Sequence, residues 1–208
     1  MIITIDGYDG TGKTTLAKKI SAVRNFVYVE KPFILKYQFE NNCSYEQARI
    51  ETEKIEQKLF AEQISENIIN YYCEALLWLK QFKDVTNIVL DRGVLTLYAV
   101  CGTRENEQCF IPYLNKGIAF DGSIYLTADD NIRRMRIIAN DPEDPDLRYP
   151  VKWRENNLEE FASEQKINHY KIQTDQLNLE EVEQTALKFL DSTILFNDNI
   201  MKRTRKPK

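Results

Sequence analysis

One histidine, His169, and four cysteines with no CxxC spacing leave these 208 residues almost without soft metal ligands. Cys43, Cys73, Cys101 and Cys109 are scattered and His169 is far from all of them. Neither a zinc site nor a disulfide framework is expected, and the thiols read as reduced and structural in a cytoplasmic protein. No apolar run reaches the length of about 18 residues that a membrane-spanning helix needs. The opening Met-Ile-Ile-Thr-Ile-Asp-Gly has neither the basic segment nor the apolar stretch of a secretory leader. Glycine and proline are sparse, at 7 and 6, and there is no Gly/Ser linker, repeat or low-complexity segment. A single domain is expected over residues 1–192, followed by a tail at 193–208. Positive charge is in deficit too: Lys plus Arg number 28 against 32 for Asp plus Glu, and five of the basic residues crowd into the last seven positions. The body is therefore acidic, which disfavours a general nucleic-acid binder and requires any anion site to be a local concentration of positive charge.

What is present suffices for a core, with 43% hydrophobic and 11% aromatic residues. Short apolar runs alternate with helical patterns. Ile2 to Ile5, Phe26 to Val29, Asn87 to Leu90, Ser123 to Leu126 and Tyr170 to Gln173 read as strands. Lys13 to Val23 reads as a helix, and Tyr45 to Phe82 as one long helix or two joined by a kink. A further helix starts at Asp129 or Asp130 with Ile132, Met135 and Ile138 as its buried stripe. Asn178 caps a closing helix, with Glu181 completing a capping box. This order predicts an α/β fold, a three-layer open parallel sheet flanked by helices.

The segment Gly7-Tyr8-Asp9-Gly10-Thr11-Gly12-Lys13-Thr14 satisfies GxxxxGK[ST] between an apolar strand and a helix. Glycines allow backbone amides to turn toward phosphate oxygens, and the positive end of the following helix adds to the field. In this pattern Gly7, Asp9, Gly10, Thr11, Gly12, Lys13, Thr14 and Thr15 form a nucleoside triphosphate cradle. Lys13 reaches the terminal phosphates and Thr14 ligates Mg²⁺, so ATP and Mg²⁺ are the expected cofactors. The NKxD guanine motif is missing, which removes a GTPase reading, and the chain is too short for a helicase or a transporter ATPase. Arg133, Arg134 and Arg136 cluster before the irregular, acidic stretch Asp141 to Asp146, as a closing lid over about 133–150 would require.

On these residues the chain resembles the thymidylate kinase family of nucleoside monophosphate kinases. The likeness is carried by Asp6 to Thr15, Leu59-Phe60-Ala61, Asp91-Arg92 after the third strand, Ile124-Tyr125-Leu126, and the strand and helix from Tyr170 to Leu190. The resemblance implies a kinase with a five-stranded parallel core, a lid and commonly a homodimer. It implies that Asp9 lies near the acceptor, that Asp91 joins Thr14 near Mg²⁺, and that Arg92 bridges donor and acceptor phosphates. Because the loop carries no arginine or further lysine, it also implies that Arg133, Arg136 or Arg148 supplies lid charge.

Two departures bear on the acceptor. Where the family places the arginine that grips the acceptor phosphate, this chain has Ile64, with Arg49 or Arg104 as replacements to be considered. Beyond Arg92, only Thr96 and Ala99 keep the type of residue used around thymine. The expected activity is transfer to a pyrimidine deoxynucleoside monophosphate. A deoxynucleoside or modified-nucleotide kinase, or a nucleotide-binding regulator without catalysis, stand as alternatives. Glu30, one place before Lys31-Pro32, is offset from the strand-end glutamate of related deoxynucleoside kinases.

Overall fold

The computed structural model describes residues 1–144, 147 and 152–204, with side chains left aside at 152–157 and 196–204. Five strands form one parallel sheet: β1 (Ile2–Gly7), β2 (Val27–Val29), β3 (Ile88–Asp91), β4 (Gly122–Thr127) and β5 (His169–Gln173), in the order β2-β3-β1-β4-β5. The helices are α1 (Lys13–Arg24), α2 (Pro32–Asn41), α3 (Tyr45–Glu62), α4 (Ser65–Leu79), α5 (Val94–Cys101), α6 (Ile111–Asn115), α7 (Asp130–Asn140), α8 (Lys152–Glu164) and α9 (Leu179–Thr204). No helix among the described residues is long and apolar enough to cross a membrane.

Every residue of β1, β3 and β4 is buried, because each strand has a helical layer on both faces. Side chains alternate between the layers. Ile3, Ile5, Val89, Ile124 and Leu126 pack with Leu16 and Ile20 of α1 and with Val182, Ala186 and Leu190 of α9. Ile2, Ile88, Leu90 and Tyr125 pack on the opposite side with α4, α5 and α8. Each such isoleucine or leucine contributes roughly 1.5–3 kcal/mol by leaving water.

The long helical stretch is two helices. Gln63 adopts a left-handed φ of 54° and ends α3, and Ile64 caps α4. Asp129 caps α7 through the amide of Asn131 at 2.9 Å, and Asn178 and Glu181 form the reciprocal cap of α9. The stripe expected on α7 is corrected. Met135 and Ile138 are 61% and 52% exposed, while Arg133 and Ile137 face inward. The helix lies on the loop after β1, whose carbonyls take hydrogen-bond donors, so its inner face is partly cationic rather than wholly apolar. Three helices, α2, α5 and α6, carried no sequence signal that was read as helical.

All five strands run the same way, so their C-terminal ends share one edge of the sheet. The loop after β1, Glu30-Lys31 after β2, Arg92-Gly93 after β3 and Thr174 after β5 therefore converge there, where ligands bind in open α/β sheets.

Candidate functional site

Three consecutive carbonyls of the loop after β1 are held from outside. Arg133 Nη1 donates to the carbonyl of Asp9 at 3.2 Å, Arg136 Nη1 to that of Gly10 at 3.3 Å, and Thr174 Oγ1 to that of Thr11 at 3.1 Å. Across a trans peptide the carbonyl and the following N–H point in opposite directions. The amides of Gly10 and Gly12 are thereby turned away from α7 and β5, as an anion cradle needs, while that of Thr11 donates to the Tyr8 carbonyl at 3.4 Å. Gly10, at φ 81°, permits this approach: a Cβ there would lie 2.6 Å from the carbonyl oxygen of Arg133.

Lys13 is 3% exposed at the start of α1, and its ammonium donates to the carbonyl of Tyr8 at 2.7 Å and to Asp9 Oδ1 at 2.9 Å. Burial and the neighbouring Arg92 push its pKa down, against the pull of Asp9. Arg92 Nη2 meets the same Asp9 oxygen at 2.8 Å. Burial alone would raise the Asp9 pKa, but Lys13 and Arg92 together outweigh it and hold the carboxyl below its ordinary value. Two cations thus converge on one carboxylate, which fixes the local positive charge anticipated for an acidic chain.

Thr14 Oγ1 donates to Asp91 Oδ2 at 2.5 Å, and the Tyr28 hydroxyl reaches the same oxygen at 3.3 Å. The other oxygen, Asp91 Oδ1, is buried with no hydrogen-bond partner among the described residues. A hydroxyl and a carboxylate with a spare oxygen beside this loop fit Mg²⁺, which takes one or two protein oxygens and completes its shell with phosphates and water.

Beneath these groups lies a carboxylate that sequence reasoning left without a role. Asp6 is fully buried and accepts from Gly93 N at 2.7 Å, Thr96 N at 2.8 Å, Thr96 Oγ1 at 2.7 Å, Ser123 Oγ at 2.7 Å and Thr4 Oγ1 at 2.5 Å. Thr96 Oγ1 in turn accepts from Gly7 N at 3.2 Å. One side chain therefore ties the start of the phosphate loop to the turn that carries Arg92, itself held at a left-handed φ of 82°. Its signal in the sequence was an acid at the end of an otherwise apolar strand.

Two cavities open on this edge. One, of about 540 Å³, is lined by the loop from Asp9 to Thr15 with Arg136 and Thr174. The other, of about 480 Å³, lies between α2, α3, α4 and α5, with Phe33, Phe60, Leu76 and Val100 on its walls. Asp9 and Arg92 line both, so the two spaces meet at that ion pair.

Of the remaining expected residues, Gly10, Thr11, Gly12, Thr14 and Thr15 line the first cavity. Gly7 sits one step behind, its amide committed to Thr96. Arg133 is 1% exposed and also pairs with Asp130 at 3.0 Å; Arg136 points between Gly10 and Thr174. Arg148 lies outside the described residues. Neither candidate replacement for the missing acceptor arginine lines the second cavity: Arg49 pairs with Glu46 at 2.7 Å and Arg104 with Glu160 at 2.5 Å. Ile64 is 49% exposed and lies outside it as well. The four cysteines are free thiols.

No family model and no curated protein matches the chain. Solved structures do match its fold. A deoxyadenosine kinase from M. mycoides, solved with dCMP and dCDP bound, is 20% identical with a TM-score of 0.57, over 92% of this chain and 100% of that one. A thymidylate kinase from Ehrlichia chaffeensis is 16% identical with a TM-score of 0.52, over 92% and 98%. A shikimate kinase from Bacteroides thetaiotaomicron is 16% identical with a TM-score of 0.54, over the same shares. The likeness is one of fold, and the fold is one that these P-loop kinases share.

Proposed function

We propose that the protein transfers the γ-phosphoryl group of ATP to a small acceptor of the nucleoside or nucleoside monophosphate class. The observation that carries this reading is the meeting of two cavities at Asp9 and Arg92, one built as a phosphate cradle and the other with mainly apolar walls. Phosphoryl transfer needs in-line placement of two ligands and neutralisation of charge between them, and little covalent help.

In this reading the amides of Gly10 and Gly12 and the Lys13 ammonium hold the polyphosphate. Lys13 exchanges its contact with Asp9 for phosphate oxygens. Thr14 and Asp91 would hold Mg²⁺, which, when bound, offsets negative charge on the polyphosphate. Arg92, at the shared wall, stabilises the transferring group, and Arg136 supports the loop from the side of α7. The acceptor oxygen bonds to the γ-phosphorus as the bond to the bridging oxygen breaks and ADP leaves. When that oxygen belongs to a hydroxyl, its proton passes to a carboxylate. Glu30 lines the acceptor cavity and suits that task. Asp9, held ionised by two cations, suits orientation instead.

ADP release measured with Mg²⁺-ATP and a panel of nucleosides and their monophosphates tests this reading. Acceptor-dependent ADP formation is expected. ATP binding without product on any acceptor would favour a nucleotide-binding regulator, and absence of binding heat with Mg²⁺-ATP would overturn the reading altogether.

A further inference from the structure

Among the described residues, the acceptor cavity is lined by five charged side chains, the carboxylates of Asp9, Glu30 and Glu56 and the cations of Lys31 and Arg92. Both cations already face a carboxylate: Arg92 meets Asp9 at 2.8 Å, and Lys31 lies 3.6 Å from Glu56. Lys13 shares Asp9 at 2.9 Å, so a ligand bearing its own phosphate would meet described cations that each already face a carboxylate. Grip on such a dianion calls for a guanidinium of its own, and the two other arginines considered for that task lie outside the cavity.

Glu56 is one of the polar groups that line the cavity. Its side chain is 16% exposed, and the Tyr72 hydroxyl donates to Oε1. Tyr72 is fixed by edge-to-face contacts with Phe33, at 5.2 Å, and with Tyr71, at 5.6 Å. Burial and then Glu56 push the Tyr72 pKa up, so it stays a neutral donor. A carboxylate pinned through one oxygen, amid Phe33, Phe60 and Leu76, offers acceptor capacity to whatever lies against the apolar wall.

From this we infer that Glu56, positioned by Tyr72 and Lys31, selects an uncharged acceptor: a nucleoside whose base bears an amino group. The amino group donates to the carboxylate while the planar base covers the apolar wall. A base with carbonyl oxygens flanking its N–H, as in thymidine, brings those oxygens against Glu56 and is disfavoured. A 5′-monophosphate is disfavoured because the described cations at this cavity already face carboxylates. The inference rests on the phosphotransfer reading and narrows its acceptor.

The test compares deoxyadenosine, deoxycytidine, thymidine and their 5′-monophosphates, by kcat/KM with Mg²⁺-ATP and by calorimetric binding. For the natural protein, amino-bearing nucleosides are expected to exceed both thymidine and their own monophosphates by at least about tenfold, as when a site's hydrogen bond is left unmade. Glu56→Gln, which can donate to a carbonyl, should narrow or reverse the ratio of deoxyadenosine to thymidine. Tyr72→Phe, which frees the carboxylate to move, should reduce the same ratio and serves if Glu56→Gln folds poorly. Preference for a monophosphate, or a base ratio unmoved by both variants, would overturn the inference while leaving phosphotransfer intact. If no acceptor turns over, the calorimetric ratios decide between the same outcomes.

Discussion

The carboxylate of Asp6 and the backbone amide of Gly93 meet at 2.7 Å in the fully buried interior, 87 residues apart in the chain. That contact holds the turn on which Arg92 stands. Asp6→Ala leaves the amides of Gly93 and Thr96 without this acceptor, and should cost about 3 kcal/mol or more in denaturant unfolding. Asp6→Asn should cost less, because its amide oxygen can still face Gly93 and Thr96 while the hydroxyls of Thr4 and Ser123 turn to accept. Equal losses from the two variants would show that geometry at this carboxylate is not what matters.

Lys13→Ala should lower turnover by about 100-fold or more, the scale of removing a preorganised charge from the transferring group. The lysine also reports on binding. Its pKa is depressed in the free protein, first by burial and then by Arg92, and phosphate oxygens will raise it again. Calorimetry of ATP binding at alkaline pH, in buffers of different ionisation enthalpy, should register proton uptake that vanishes near neutrality and is missing in Lys13→Ala.

Asp9 has the opposite sign of linkage. Its folded pKa is below the unfolded value, so its ion pairs contribute stability that is present above the ordinary carboxylate range and is lost as pH falls through the depressed pKa. In denaturant unfolding, the gap between the natural protein and Asp9→Asn should be constant from about pH 5 to neutrality and close in stronger acid. A gap that widens on acidification would contradict the assigned pairing.

Gly10→Ala puts a methyl group 2.6 Å from the carbonyl oxygen of Arg133 at a residue with left-handed φ. A loss of about 1–3 kcal/mol is expected from strain alone. Because α7 must shift to relieve the clash, ATP affinity measured by calorimetry should fall with it. Unchanged affinity would mean that the grip of α7 on the loop does not shape the cradle.

The parts legible in the sequence were those whose physics is local. A β-branched strand, a glycine turn and a helix are contiguous from Ile2 to Arg24, so the strand-loop-helix with Lys13 at the helix start could be read directly, and Asp91-Arg92 lies at the end of an apolar strand. The helix Val94–Cys101 escaped because six of its eight residues are buried, and a helix covered on all sides has no apolar stripe to detect. Pro32 was read as the end of a strand, although proline is equally at home in the first turn of a helix, where it sits in α2. On α7 the inward arginine at 133 defied hydropathy because the surface it meets is a row of carbonyls. Glu56 and Tyr72 lie on separate helices 16 residues apart, and no spacing rule brings them together.

The ion pair of Asp9 and Arg92 forms a wall common to two chambers, which suggests how the protein could be inhibited. A compound with a polyphosphate at one end and a nucleoside body at the other would straddle that wall. It would surrender its translational freedom once rather than twice, so its affinity should exceed that of either fragment by a factor set by how well the tether spans the gap.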